Sequence, residues 1–325
     1  MKFEWSLQGL ALAGAFTFLY IADATAQPYP ARPVRLIVPF VPGGGADAAA
    51  RLFGTRLGDN LGQQVLIDNR GGAGGTIGAE LAAKAAPDGY TLLLSSANMA
   101  MNVSLYGKRS YDPVKDFATV TLLSSTPNVI TVHPSLPVRS VKELIALAKA
   151  HPGQINYASG GNGSTAHLAA ELFKTMARVD FVHVPYKGSG PAAIAVLSGE
   201  APLTMVPALA VMPHVQSGRL RALAISSVQR AAVLPDLPTV AESGVPGYEA
   251  SQWYGVMAPA GTPESIVARL HLELVKIVQS PDMTARLAAE AAIPVGSTPQ
   301  QFAAYLQEEI VKWSRVVRFS GARLD

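Results

Sequence analysis

Two glycine-rich segments carry the residue types best suited to holding a small ligand. Val41-Pro42-Gly43-Gly44-Gly45-Ala46-Asp47 follows the apolar run Val34 to Phe40, and Ser159-Gly160-Gly161-Asn162-Gly163-Ser164-Thr165 follows Ile155 to Ala158. Each leads directly into a helical pattern. Glycines there remove Cβ atoms, so a ligand can approach backbone N–H groups at the positive end of a helix. Each such terminus favours an anion by roughly 0.3–1 kcal/mol, and by up to ~2 kcal/mol when partly buried. Two opposed termini plus hydroxyl donors can therefore hold a carboxylate without an arginine. Asp47 falls in the first helical turn, where a carboxylate caps exposed N–H groups; direct ligand contact is the alternative. Ser164 and Thr165 stand at the second helix start, as caps or as hydroxyl donors. His167, on the following helix face, reads as a structural histidine.

Two further segments complete this set. Pro185-Tyr186-Lys187-Gly188-Ser189-Gly190-Pro191 again joins a strand to a helix, with Lys187 as a candidate cation. Ser95-Ser96-Ala97-Asn98 ends a third strand, and Ser96 and Asn98 supply a hydroxyl and an amide for the wall of a site.

Enzymatic constellations are poorly represented. Gly72-Ala73-Gly74 with Gly78 lacks the G-x-G-x-x-G spacing, and the next strand ends in Ser95-Ser96 where a ribose-binding acid would stand. There is no G-x-S-x-G elbow, P-loop or H-E-x-x-H, and the six histidines never fall at metal-ligand spacing. With no cysteine, the chain offers no thiolate nucleophile and no disulfide. No cofactor and no metal are expected; an enzyme acting on a small organic acid is the second reading.

The elements that must position these turns follow from periodicity. Val34 to Phe40, a helix from about Ala46, Val65 to Asp68, a helix from about Thr76 and Thr91 to Ser95 form a βαβαβ series, hence a mostly parallel sheet. A second series starts after Pro127: Val129 to Val132, a helix near Val141 to Ala150, Ile155 to Ala158, a helix from about Thr165, and Phe181 to Val184. Two sheets imply two lobes. The chain ends in amphipathic helices, one opened by Thr262-Pro263-Glu264 with Ile266, Leu270, Leu274 and Ile277 on one face. The other follows Thr298-Pro299, with Gln301 completing a capping box and Phe302, Leu306, Ile310, Trp313 and Val317 facing a core.

The chain has 325 residues, 49% hydrophobic and 15% charged, enough for one large or two medium cores. Its first 26 residues read as a signal peptide: Lys2, a nearly unbroken apolar stretch from Leu7 to Ala22, and the small-residue cleavage site Ala24-Thr25-Ala26. Cleavage after Ala26 predicts a periplasmic protein. The apolar stretch is shorter than the roughly 20 residues that span a bilayer. Losing Lys2, Glu4 and Asp23 moves the net charge from +3 to +4. Basic residues are scattered without interleaved aromatics, so no nucleic-acid partner is expected.

The residues resemble the extracytoplasmic solute receptors of tripartite tricarboxylate transporters, the Bug-type receptors, over essentially the whole mature chain. The resemblance rests on Val38-Pro39-Phe40-Val41-Pro42-Gly43-Gly44 followed by Asp47, Asn69-Arg70-Gly71-Gly72-Ala73-Gly74-Gly75, and Pro87-Asp88-Gly89-Tyr90-Thr91-Leu92. It continues through Tyr111-Asp112-Pro113-Val114-Lys115-Asp116-Phe117, Tyr157-Ala158-Ser159-Gly160 with Gly163-Ser164 and His167-Leu168, Val184-Pro185-Tyr186-Lys187-Gly188, and Pro238-Thr239-Val240-Ala241-Glu242-Ser243-Gly244.

It implies an α/β, two-lobed periplasmic binding protein fold of type II, with mixed, mostly parallel sheets and a hinge between the lobes. Ligands in such a family are carboxylates, including di- and tricarboxylates, aromatic acids and amino acids, held largely by main-chain groups and waters between the two turns. The residues that match are Phe40, Pro42, Gly43, Gly44 and Asp47 in the first turn, and Ser159, Gly163 and Ser164 in the second. Where relatives often have an acidic residue, this chain reads Leu203-Thr204-Met205-Val206-Pro207; where they often show a His-Ala-Ile-Asn-Pro run, it has Met101-Asn102-Val103-Ser104. A more apolar site is expected from both departures. The implied partners are a small carboxylate and the cognate membrane transporter subunits, with the receptor a monomer; a sensor for a signalling partner is the alternative. Expected boundaries are 27–127 plus 251–325 for lobe 1 and 128–250 for lobe 2, with hinges near Ser124 to Pro127 and Ser251 to Tyr254.

Overall fold

The computed structural model describes residues 29–106, 109–289 and 291–320; residues 1–26, expected from the sequence to be a signal peptide, lie outside the described residues. The N-terminal part contains β1 (Val34–Val38), α1 (Gly45–Leu61), β2 (Val65–Asn69), α2 (Thr76–Ala83), β3 (Thr91–Ser96) and α3 (Ala97–Leu105). Strand β1 lies between β2 and β3, parallel to both, with Val34 opposite Val65 and Arg35 opposite Thr91. Helices cover both faces of this trio, so Leu92, Leu93 and Leu94 on β3 are all buried and the strand reads as an unbroken apolar run.

Strand β4 (Phe117–Val132) leaves this sheet for a second one. There follow α4 (Val141–Ala150), β5 (Asn156–Ser159), α5 (Thr165–Ala177), β6 (Val182–Pro185), α6 (Ser189–Leu197), β7 (Leu203–Pro207), α7 (Ala208–Gln216) and β8 (Arg221–Ile225). Here β5 lies between β6 and β7, again in parallel. The chain returns through β9 (Ser251–Pro259) and finishes with α8 (Glu264–Val278), α9 (Pro281–Ala289), β10 (Ile293–Pro294) and α10 (Pro299–Ser320). Among the named strands of the described residues, parallel pairing is confined to the two outer trios, with one isolated parallel bridge between Ile225 and Thr239. The strands that cross between the trios pair antiparallel.

Strand β4 is the main departure from the pattern read in sequence, which places a strand only from Val129. Its first part pairs with β9 up to Pro127 opposite Ser251, and from Asn128 onward it pairs with β7 and β8. Pro127 looks like a break because proline cannot donate to a ladder. It is tolerated because it sits where the partner changes, so its missing N–H falls at the seam. Register shifts at Thr119/Thr121 and Leu122/Ser124 bend the strand just before the seam.

One apolar core lies among β1, α1 and α8, another among α6, α7 and β7, and a third, larger one runs between the sheets and includes α3, α5 and α10. Helix α10 opens with the expected capping box: the Thr298 N–H donates to Gln301 at 2.9 Å and the Gln301 N–H to the Thr298 hydroxyl at 3.1 Å. Buried Glu309 accepts from the indoles of Trp253 and Trp313, both at 2.9 Å, and pairs with Lys312, which also pairs with Glu249. These contacts fasten α10 behind β9. Among the described residues, no helix is long and apolar enough to cross a membrane.

Candidate ligand cleft

The first turn joins β1 to α1. Gly43 has φ +85°, a region that disfavours any side chain. The N-cap Gly44 supplies no capping side chain, and Asp47 reaches back instead: its Oδ2 accepts from the Gly43 N–H and from Arg51 Nε, both at 3.0 Å. The Arg51 hydrogen bond, followed by that of Gly43, holds the Asp47 carboxyl down at about 2. Asp47 is thus spent inside the turn. A Cβ on Gly45 would stand 2.9 Å from the hydroxyl of Tyr254 on β9, so the start of α1 abuts the crossover strand. A Cβ on Gly44 would meet nothing closer than 4.0 Å. That space is open cleft.

The second turn joins β5 to α5, with Gly161 and Gly163 at positive φ. The Ser164 hydroxyl accepts from the His167 N–H at 3.2 Å as a helix cap, and His167 Nδ1 accepts from the Gly163 N–H at 3.1 Å. This assigns the His167 proton to Nε2. The fully buried Ser159 hydroxyl accepts from the Gly161 N–H at 3.1 Å and lies 2.6 Å from His183 Nε2. His183 stacks on His167, at 4.0 Å and nearly parallel, and on Tyr157 at 5.0 Å. The Tyr157 hydroxyl donates to Glu171, which also takes Lys174. Burial foremost pushes His167 down to about 3 and also lowers His183, so both rings are neutral near pH 7. The third turn is tied to the second by the Gly188 N–H, which donates to Gly160 O at 3.2 Å.

A cavity of about 830 Å³ lies where these turns meet. Phe40, Gly44 and Gly45 enter it from the first turn, with Asn98 from the start of α3. Thr165, Ser189 and Pro207 face them from the starts of α5, α6 and α7. Parallel strands thus direct several helix N-termini at one space, as the ends of strands in α/β sheets do. Its floor is polar, made by Ser124 and Thr126 of β4 and Gln252 and Tyr254 of β9.

Of the positions singled out in sequence, Phe40, Gly44, Asn98 and Thr165 line the cavity. Pro42 and Gly43 are exposed on the turn, Asp47 is buried in the first turn of α1, Ser96 and Ser159 are buried at the ends of β3 and β5, Gly163 is buried in the second turn, Ser164 is a cap, and Lys187 is exposed outside the lining. Sequence reasoning missed Ser189, Leu209, Arg286 and the side chains of the crossover strands. The last had a readable signal: Ser124 with Thr126, and Gln252 with Tyr254, alternate in the i, i+2 pattern that puts polar groups on one strand face. Among the described residues, no group of three or more His, Asp or Glu side chains is placed to hold a metal ion.

Two α/β lobes, crossover strands between them and a cleft ringed by helix starts define a solute receptor of the periplasmic binding type. The chain belongs to the receptor family of the tripartite tricarboxylate transporters: residues 49–321 match the model described as "Tripartite tricarboxylate transporter family receptor". It is 42% identical to protein BugT of Bordetella pertussis over 97% of this chain and 98% of that one. Among solved structures it is similar to R. palustris Rpa4515 with adipate, at 40% identity and a TM-score of 0.80, covering 91% of this chain and all of that one. It is also similar to MatC of Rhodopseudomonas palustris with bound malate, at 35% identity and a TM-score of 0.75, covering 89% and 100%.

Proposed function

We propose that the protein is exported, captures a small carboxylate in the cleft between its lobes, closes around it and passes it unchanged to the membrane subunits of a tripartite tricarboxylate-type transporter. The observation that carries this reading is the convergence of the starts of α1, α5, α6 and α7 on one cavity with a polar floor. Partial positive charge from several helix N-termini suits a carboxylate. The adipate and malate bound by the related structures support the same ligand class. Gly44, Thr165 and Asn98 are the contacts assigned to the ligand, while Asp47, Ser159 and Ser164 hold the turns that present them.

Lobe 1 comprises 27–127 with 251–325 and lobe 2 comprises 128–250, the chain crossing at the seam where β4 changes partners. A ligand touching both lobes has contacts in the closed state that the open state lacks, and only that difference shifts the equilibrium. Residues 1–26 are the signal peptide, one chain suffices for binding, and neither metal nor turnover is involved.

A thermal-shift screen of carboxylates tests this: at 100-fold excess over Kd a true ligand adds about 2.7 kcal/mol of stability. The ligand should be recovered unchanged, the radius of gyration should fall on saturation, and periplasmic protein should start at Gln27. Chemical conversion of the bound acid, or a radius of gyration indifferent to it, would overturn the receptor reading.

A further inference from the structure

The lining of the cavity changes in chemistry from the start of α1 to its side on α9. Its wall on α1 runs through Gly45, Ala48, Ala49 and Leu52, one face of the helix at i, i+3, i+4 and i+7 spacing. At about 1.5 Å per residue this wall extends roughly 10 Å from the glycine-rich helix start. Leu209 and Ala210 of α7, with Leu287 and Ala292, make the facing sides equally apolar. Leu209 is 59% exposed, a large apolar side chain left uncovered.

Arg286 of α9 also lines the cavity, and its ion-pair partner ties it to the α1 residue one turn past that wall. Its Nε donates to Asp282 Oδ1 at 3.2 Å, and Arg56, one turn beyond Leu52 on α1, pairs with Oδ2 of the same carboxylate. Two guanidiniums share one carboxylate. Among the described residues this trio therefore carries an uncompensated positive charge, and no Asp or Glu lines the cavity.

We propose that Arg286 is a specificity-determining second anchor, which receives the distal carboxylate of an extended α,ω-dicarboxylate lacking an amino group. The proximal carboxylate lies at the start of α1, and the methylene chain lies along Ala48, Ala49 and Leu52 beneath Leu209. This rests on the carboxylate-receptor reading. A guanidinium offers a planar fork of donors that fits a carboxylate in a bidentate pair, and each methylene withdrawn from water adds affinity. A short diacid cannot reach both ends. A tricarboxylate would press surplus charge against an apolar wall, and among the described residues that line the cavity an ammonium group would find no carboxylate partner.

Calorimetric titration of the mature protein and its Arg286→Gln and Arg286→Lys variants with hexanoate, succinate, adipate, suberate, glutamate and adipamide tests this. Adipate or suberate should bind at least about tenfold tighter than hexanoate, succinate or glutamate. Arg286→Gln should erase that advantage and leave hexanoate affinity within about twofold, and Arg286→Lys should restore part of the advantage. Because Arg286 is more than half exposed, the variants should melt with the parent protein. An unchanged preference in Arg286→Gln, an equal loss for hexanoate, or tightest binding of succinate or glutamate would overturn the anchor. If no acid binds, or adipamide binds as tightly as adipate, the carboxylate-receptor reading falls with it.

Discussion

The two glycine-rich turns present similar helix starts to one cavity, yet opposite chemistries hold them in shape. The first is fastened by charge: Asp47 accepts from Gly43 and from Arg51, whose side chain is more than half exposed. The second is fastened by neutral, buried groups: Ser159 against His183, and His183 stacked on His167. A backbone shape that welcomes an anion can thus be kept rigid by an ion pair or by a desolvated imidazole stack. Only the second should yield readily to mild acid.

The largest expected effect sharpens the comparison from the side of the open turn. Gly44 has φ −89° and ψ 174°, extended backbone that valine adopts freely, and the room beside it is the cleft itself. Gly44→Val should therefore fold and melt normally while losing carboxylate binding by about 100-fold or more, roughly 2.7 kcal/mol. Normal binding by this variant, measured by calorimetry, would show that the first turn does not hold the ligand.

The next effect separates the turns by pH. His167 titrates at about 3 in the folded chain against roughly 6.5 unfolded, so acid favours the unfolded state, which takes up the proton first. Stability is undiminished above pH 6.5 and falls as pH drops from there toward 3. Between pH 7.5 and 5 this single histidine should cost about 2 kcal/mol. Asp47, lowered to about 2, has the opposite sign: its contribution is present above the unfolded value near 4 and is lost only as pH falls through 2. Denaturant unfolding of wild type and His167→Gln at the two pH values should show the variant losing about 2 kcal/mol less. Identical losses would mean that the imidazole stack is not neutral in the folded chain.

The smallest effect concerns the cap of α5. Ser164→Ala removes the hydroxyl that accepts from the His167 N–H and should cost about 1 kcal/mol of stability. Ligand affinity should change by less than about tenfold, because Thr165 and the backbone remain in the cleft. A loss of binding as complete as that of Gly44→Val would reassign Ser164 from turn support to direct contact.

What the sequence determined by itself is local. The glycine-rich turns, the Thr298–Gln301 capping box, the Val141–Ala150 helix, the first βαβαβ series and the β5–α5–β6 unit were legible because each depends on residues a few positions apart, whereas β4, read as the first strand of the second series, runs antiparallel to β7. The family was legible for a related reason: its motifs are short and keep their order along the chain. Only the tertiary structure decided which of those residues face the cavity. Asp47 and Ser159 carry the right chemistry in the right turns, yet both side chains are buried, and Asp47 Oδ2 and the Ser159 hydroxyl are engaged, an outcome set by where Arg51 and His183 come to lie. The strand was read only from Val129, after Pro127, because the change of partners from β9 to β7 cannot be seen in a one-dimensional pattern. The far wall was the least readable of all. Asp282 meets Arg56 from 226 residues away, and no local propensity encodes which of many surface arginines will share one carboxylate beside an apolar cleft.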